Sequence, residues 1–216
     1  MEISNATINK IKEEAKSFFS GANSCHEWEH TERVCNLALH IGKKENANLE
    51  VLELAVILHD IARKEQDESS GKICHAERGA VLAKEILEKY NLPEDKIENV
   101  VHCIECHRYR NDKIPQTLEA KILFDADKLD SIGTIGIGRA FSFAGHLGAK
   151  VHDKNVVVDK SAEYTSDDTA YREYSVKLKF LKDKIITDEG KQIAQGRHAF
   201  MENFFERLNK EVDGEA

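Results

Sequence analysis

VLELAVILHDIA, residues 51–62, is the most continuously apolar stretch of the chain, and it carries a histidine and an aspartate side by side. A helix that is apolar on nearly every face is a buried one, so the sequence predicts a central helix from about Leu49 to Lys64. His59 and Asp60 then lie deep in the molecule. A carboxylate strongly resists leaving water without a partner. A bound cation would resolve both burials, because it compensates the carboxylate charge and accepts the imidazole lone pair.

Helical spacing continues on either side. Upstream, Ile8, Ile11, Ala15, Phe18 and Phe19 mark a helix over about Thr7 to Phe19. After the turn 20–24, with Ser24 as an expected cap, a second helix carries His26, Trp28, His30, Val34, Leu37 and Ile41 and ends near Gly42. Downstream, the polar KEQDESSGK (64–72) reads as a loop. Helices are then expected over His75–Tyr90, Glu94–His107 and Gln116–Ser131, broken at Asn91-Leu92-Pro93 and Ile114-Pro115. IGTIGIGRAFSFAG (132–145) continues as helix. Residues 146–168 read as a polar excursion apart from Val156-Val157-Val158, and helices over Thr169–Ile185 and Asp188–Val212 follow.

Composition agrees with an all-α chain. Two prolines and 7% aromatic residues suit long helices better than a strand-rich sandwich. With 41% hydrophobic and 32% charged residues the chain is globular rather than disordered. A net charge of -8 supplies no general attraction for a nucleic acid polymer or an anionic membrane. An anionic substrate therefore needs a local basic pocket or a metal. The five cysteines are odd in number and unevenly spaced, as expected of reduced thiols in a cytoplasmic protein. MEISNATINKIKEEAK has no apolar core of a signal peptide, and no apolar run approaches the roughly 20 residues of a membrane helix.

Asp127 repeats the tension seen at Asp60, lying between Ile122-Leu123-Phe124 and Leu129 on a further apolar helix, and His30 occupies a third helix. Two imidazoles and two carboxylates form a mixed N/O donor set that suits Mn, Ni, Co, Fe or Mg better than structural Zn. The ordered set His30, His59-Asp60, Asp127 resembles the H…HD…D signature of the HD-domain phosphohydrolase superfamily. HEWEHTERV (26–34), LHDIARKE (58–65), ICHAERGA (73–80), DADKLDSIGTIGIGRAF (125–141) and TDEGKQIAQGRHAFMENFFERL (187–208) are similar to segments of its small, single-domain bacterial and archaeal branch.

The resemblance implies an all-α HD-domain helical bundle with a central divalent metal. It implies one domain over 1–216, with a core of about 20–145 and C-terminal helices of about 165–212 packing on it. It also implies hydrolysis of a phosphate ester or phosphoanhydride of a small phosphorylated metabolite, with a nucleotide expected, as in (d)NTP pyrophosphohydrolases. Alternatives on the same site are a phosphomonoesterase, a cyclic-nucleotide phosphodiesterase, or a non-catalytic nucleotide and metal sensor. A metal ion lowers the pKa of its water toward about 7 and grips a phosphoryl oxygen. Asp60 is the ligand expected to orient the attacking water or bridge to a second metal.

His75 and His107 resemble the extra histidines of binuclear relatives, although Cys106 stands at an adjoining partner position. Their other role would be to bind phosphate or to donate a proton to the leaving group. Arg63, Lys64, Arg108, Lys128, Arg139 and His26 are the expected substrate contacts, Arg by bidentate hydrogen bonds and Lys as a point charge. A homo-oligomer is compatible with all of this.

Other motifs carry less. Cys103-Ile104-Glu105-Cys106 has neither a βαβ context nor a second ligand pair, so its thiols read as core filling. The run 125–130 fails as a calcium loop because Leu129 takes a ligand position and Gly136 replaces the closing Glu. Gly133, Gly136 and Gly138 miss the dinucleotide spacing and read as sites of close packing or substrate approach.

Overall fold

The computed structural model describes residues 3–20, 28–108, 113–154 and 165–216. His26, the Ser24 cap and the 156–158 valines lie outside the described residues. Among the described residues every regular element is helical. The chain divides into two compact units, 1–127 and 128–216.

The first unit holds α1 (Asn5–Ser17), α2 (Trp28–Glu45), α3 (Leu49–Leu58), α4 (Arg63–Glu68), α5 (His75–Lys89), α6 (Glu94–Cys106) and most of α7 (Leu118–Leu129). The apolar helix foreseen over 49–64 is its centre, and it packs on α1, α2 and α6. Asn48 caps it, its side chain accepting from the Val51 amide. Val51, Leu52 and the run Leu54–Leu58 are all buried. Where α2 crosses α3, a Cβ on Gly42 would meet Leu52 at 2.7 Å, so the missing side chain sets the approach.

Two expectations need correction here. Helix α3 stops at Leu58 and the chain turns through 59–62, so His59 and Asp60 sit in a helix-terminal turn rather than mid-helix. The polar 64–72 stretch is not all loop, because α4 occupies Arg63–Glu68. Its residues are good helix formers on propensity. Glu65 also ties it to α5 by accepting from Arg78 Nε at 2.9 Å, and Gln66 reaches His75 at the start of α5. Ser70 and Gly71, both at positive φ, then end the segment.

The second unit contains α8 (Gly133–His146), α9 (Ala170–Val176), a 3₁₀ helix (Leu178–Lys184) and α10 (Asp188–Asp213). The single helix expected over 169–185 is thus two pieces. In this unit α8 packs on α9 and α10, and Phe141, Tyr171, Tyr174, Phe204 and Phe205 form its aromatic core. The side chains of Asp168 and Arg172 are buried, and they pair at 2.9 Å. Gly136 is placed by a steric demand, since a Cβ there would lie 2.2 Å from the Ser131 carbonyl oxygen. No described helix is long and apolar enough to cross a membrane.

Candidate metal centre

Two helices of the first unit end on a histidine whose ring closes the helix. The last carbonyls of a helix lack intrahelical partners. His59 follows α3 and its Nδ1 lies 2.7 Å from the Val56 carbonyl. His107 follows α6 and its Nδ1 lies 2.6 Å from the Ile104 carbonyl. A carbonyl can only accept, so in both rings Nδ1 carries the proton and Nε2 presents a lone pair. The same contact that finishes each helix therefore aims a metal-binding atom inward.

Those lone pairs converge. His30 from α2 brings its Nε2 to 3.4 Å from His59 Nε2 and 3.4 Å from Asp127 Oδ1. His75, the first residue of α5, brings its Nε2 to 3.0 Å from His107 Nε2. Asp60 lies between the two sets. Its Oδ2 is 3.9 Å from His30 and 3.7 Å from His59, whereas its Oδ1 is 3.3 Å from His75 and 3.7 Å from His107. Two groups can each hold a metal ion: His30, His59 and Asp127, and Asp60, His75 and His107. Asp127 is the one member of the six with substantial solvent access, at 23% of its side chain against 6% or less for the others.

The electrostatics match a site built for a cation. Burial pushes the His59 imidazole down to about 4 and His75 to about 2, so neither ring is charged near neutral pH. Burial alone would raise the Asp60 carboxyl. At the acid pH where this carboxyl would titrate, the then charged His59, with His107, His75 and Arg63 nearby, outweighs burial and holds Asp60 well below the usual carboxylate range. A buried carboxylate ringed by neutral nitrogen lone pairs lacks the positive charge that a divalent ion supplies, and the donor set fits that ion.

The cationic side chains expected to contact substrate are dispersed. Arg63 stands beside the cluster, with Nη1 3.4 Å from His75 Nδ1. Arg108 follows His107 and donates to the Cys74 thiol at 3.3 Å. Lys64 is exposed and donates to the Ser20 carbonyl. Lys128 is buried next to Asp127 in sequence, and Arg139 donates to Asp130 at 2.8 Å within the second unit. Cys106 does not join the second group. Its thiol lies 3.6 Å from His102 Nδ1 and 3.6 Å from the Ile114 carbonyl. A residue absent from the sequence reading, Gln66, accepts from the ring and the main chain of His75. Its signal was hidden because its segment read as loop.

The HD domain family matches residues 28–132, a span that includes all six side chains of the cluster. The protein YpgQ of Bacillus subtilis is 32% identical over 212 residues, covering 95% of this chain and 93% of YpgQ. A crystal structure of YpgQ in complex with ADP is similar at a TM-score of 0.74, with 29% identity and 95% of each chain covered. An HD-superfamily hydrolase from Bacillus thuringiensis is similar at a TM-score of 0.76 and 28% identity, covering 96% of this chain and 97% of that one. By these likenesses, and by the buried His/Asp cluster they span, the chain belongs to the HD-domain superfamily of metal-dependent phosphohydrolases.

Proposed function

We propose that His30, His59, Asp60 and Asp127 hold one divalent ion, that Asp60, His75 and His107 hold a second, and that the site hydrolyses a nucleotide phosphoanhydride or ester. The observation that carries this reading is the division of the Asp60 carboxylate, one oxygen facing each imidazole group. A carboxylate so placed would serve both groups of ligands and would help to orient a water molecule for attack. When bound, such ions supply Lewis acidity toward water and phosphoryl oxygen; Mn, Ni, Co, Fe and Mg all suit the donors.

This chain's own residues hold and polarise the substrate. Arg63 and Arg108 lie beside the histidine cluster and would take the phosphates. The low proton affinity of His59 and His75 keeps both rings available as ligands at neutral pH. The nucleotide substrate is supported by the ADP bound to the similar YpgQ, and a (d)NTP pyrophosphohydrolase is the reaction most consistent with an enzyme that grips a polyphosphate. The test is pyrophosphate and orthophosphate release from a nucleotide panel with each metal. Asp60→Ala and Asp127→Ala should abolish metal-dependent release. Silence across the panel, with metal still bound, would reject the nucleotide reading.

A further inference from the structure

We infer that Gln66 is a positioning residue that commits His75 to the role of ligand and denies it that of proton donor. The inference rests on the reading that His75 faces a metal. Two interpretations of the 3.0 Å contact between His75 Nε2 and His107 Nε2 are chemically open. Either His75 carries its proton on Nε2 and donates it to His107, or both nitrogens are bare and share a cation. The choice depends on which nitrogen of His75 is protonated.

Gln66 decides it. Its Oε1 position lies 2.8 Å from His75 Nδ1 and 3.2 Å from the His75 main-chain nitrogen. A main-chain N–H can only donate. Had the glutamine amide been turned the other way, its NH₂ would face that N–H donor to donor. The atom facing His75 is therefore the oxygen, and an oxygen of an amide only accepts. Nδ1 must then carry the ring proton, which leaves the Nε2 lone pair pointing at Asp60 Oδ1 and His107. Arg63 Nη1 also approaches Nδ1, at 3.4 Å. It would need a lone pair there, but its contact is the longer of the two and no main-chain donor supports it.

The arrangement has a structural logic as well. His75 opens α5, where the first amides have no helical acceptor, and Cys74 before it provides no side-chain cap. Gln66, delivered by α4, fills that vacancy and orients the ring with one oxygen. The turn at 59–62 that launches α4 is the turn that carries Asp60, so ligand and orienting residue are positioned together.

The test is the tautomer of His75, read by long-range ¹H–¹⁵N correlation on metal-free protein at pH 8. Wild type should show a protonated Nδ1 and a bare Nε2. Gln66→Leu should shift His75 toward the Nε2-protonated form, and Gln66→Glu, which keeps the acceptor, should restore the wild-type pattern. A protonated Nε2 in wild type overturns the assignment, and so does a Gln66→Leu spectrum identical to wild type. Mn titration adds a second readout. Binding of the second equivalent should weaken roughly ten- to a hundredfold in Gln66→Leu and survive in Gln66→Glu. If the tautomers behave as stated but wild type takes up a single equivalent, the two-metal reading fails and with it the ligand role of His75, while the orientation of its ring by Gln66 stands.

Discussion

Acidification should destabilise the metal-free protein steeply, and the cause lies in two rings. An ordinary histidine titrates at 6.5, whereas burial holds His59 at about 4 and His75 at about 2. Between those values and 6.5 the unfolded chain binds a proton at each position that the folded chain refuses, so stability falls as pH falls. Each pH unit in that window costs about 1.4 kcal/mol per ring. From pH 7.5 to pH 5 each ring therefore contributes a loss of about 2 kcal/mol, or about 4 kcal/mol together. That is a large share of the roughly 5–15 kcal/mol that holds a domain folded. The Asp60 carboxyl, depressed as well, adds its own loss only below 3.8. The assay is urea unfolding after chelation, at pH 7.5 and pH 5.0, for wild type and His59→Phe. Wild type should lose about 4 kcal/mol and His59→Phe about half as much. A wild-type stability that is flat or rises on acidification would refute the argument, as would an unchanged slope in His59→Phe.

At pH 7.5, Mn at about a hundred times its dissociation constant should stabilise the protein by about 2.7 kcal/mol. That gain should persist through pH 5 and fall only toward pH 4, where His59 begins to take up a proton in competition with the ion, which differential scanning fluorimetry would show. Asp60→Asn should lower metal-dependent phosphohydrolysis by more than about a hundredfold. Its metal content, measured by mass spectrometry, should drop in both groups at once because Asp60 faces both. Gly136→Ala should cost about 1–3 kcal/mol by overpacking, since its Cβ meets the backbone of Ser131 rather than a yielding side chain; chemical denaturation measures it. Asp168→Ala breaks the buried ion pair with Arg172 and should cost about 3–5 kcal/mol, seen as an earlier unfolding midpoint.

The sequence by itself determined the helical class, through apolar periodicity, and it singled out candidate ligand positions wherever that periodicity conflicts with a polar side chain. Apolar periodicity places Leu52, Ile57 and Leu58 inside, and Asp60 or Asp127 embedded in such a pattern is intolerable without a partner. What the sequence did not carry was direction. Whether His59 and His107 aim Nε2 inward depends on where α3 and α6 stop, and an end set by a ring donating three residues back has no periodic signature. The α4 helix was equally hidden, since its polar residues bury little and its stability comes from contacts with α5. Only the tertiary structure brings Asp60 between two imidazole groups and sets Gln66 against His75. Periodicity reports which residues leave water, but a lone pair points where a hydrogen-bond partner from elsewhere in the chain makes it point.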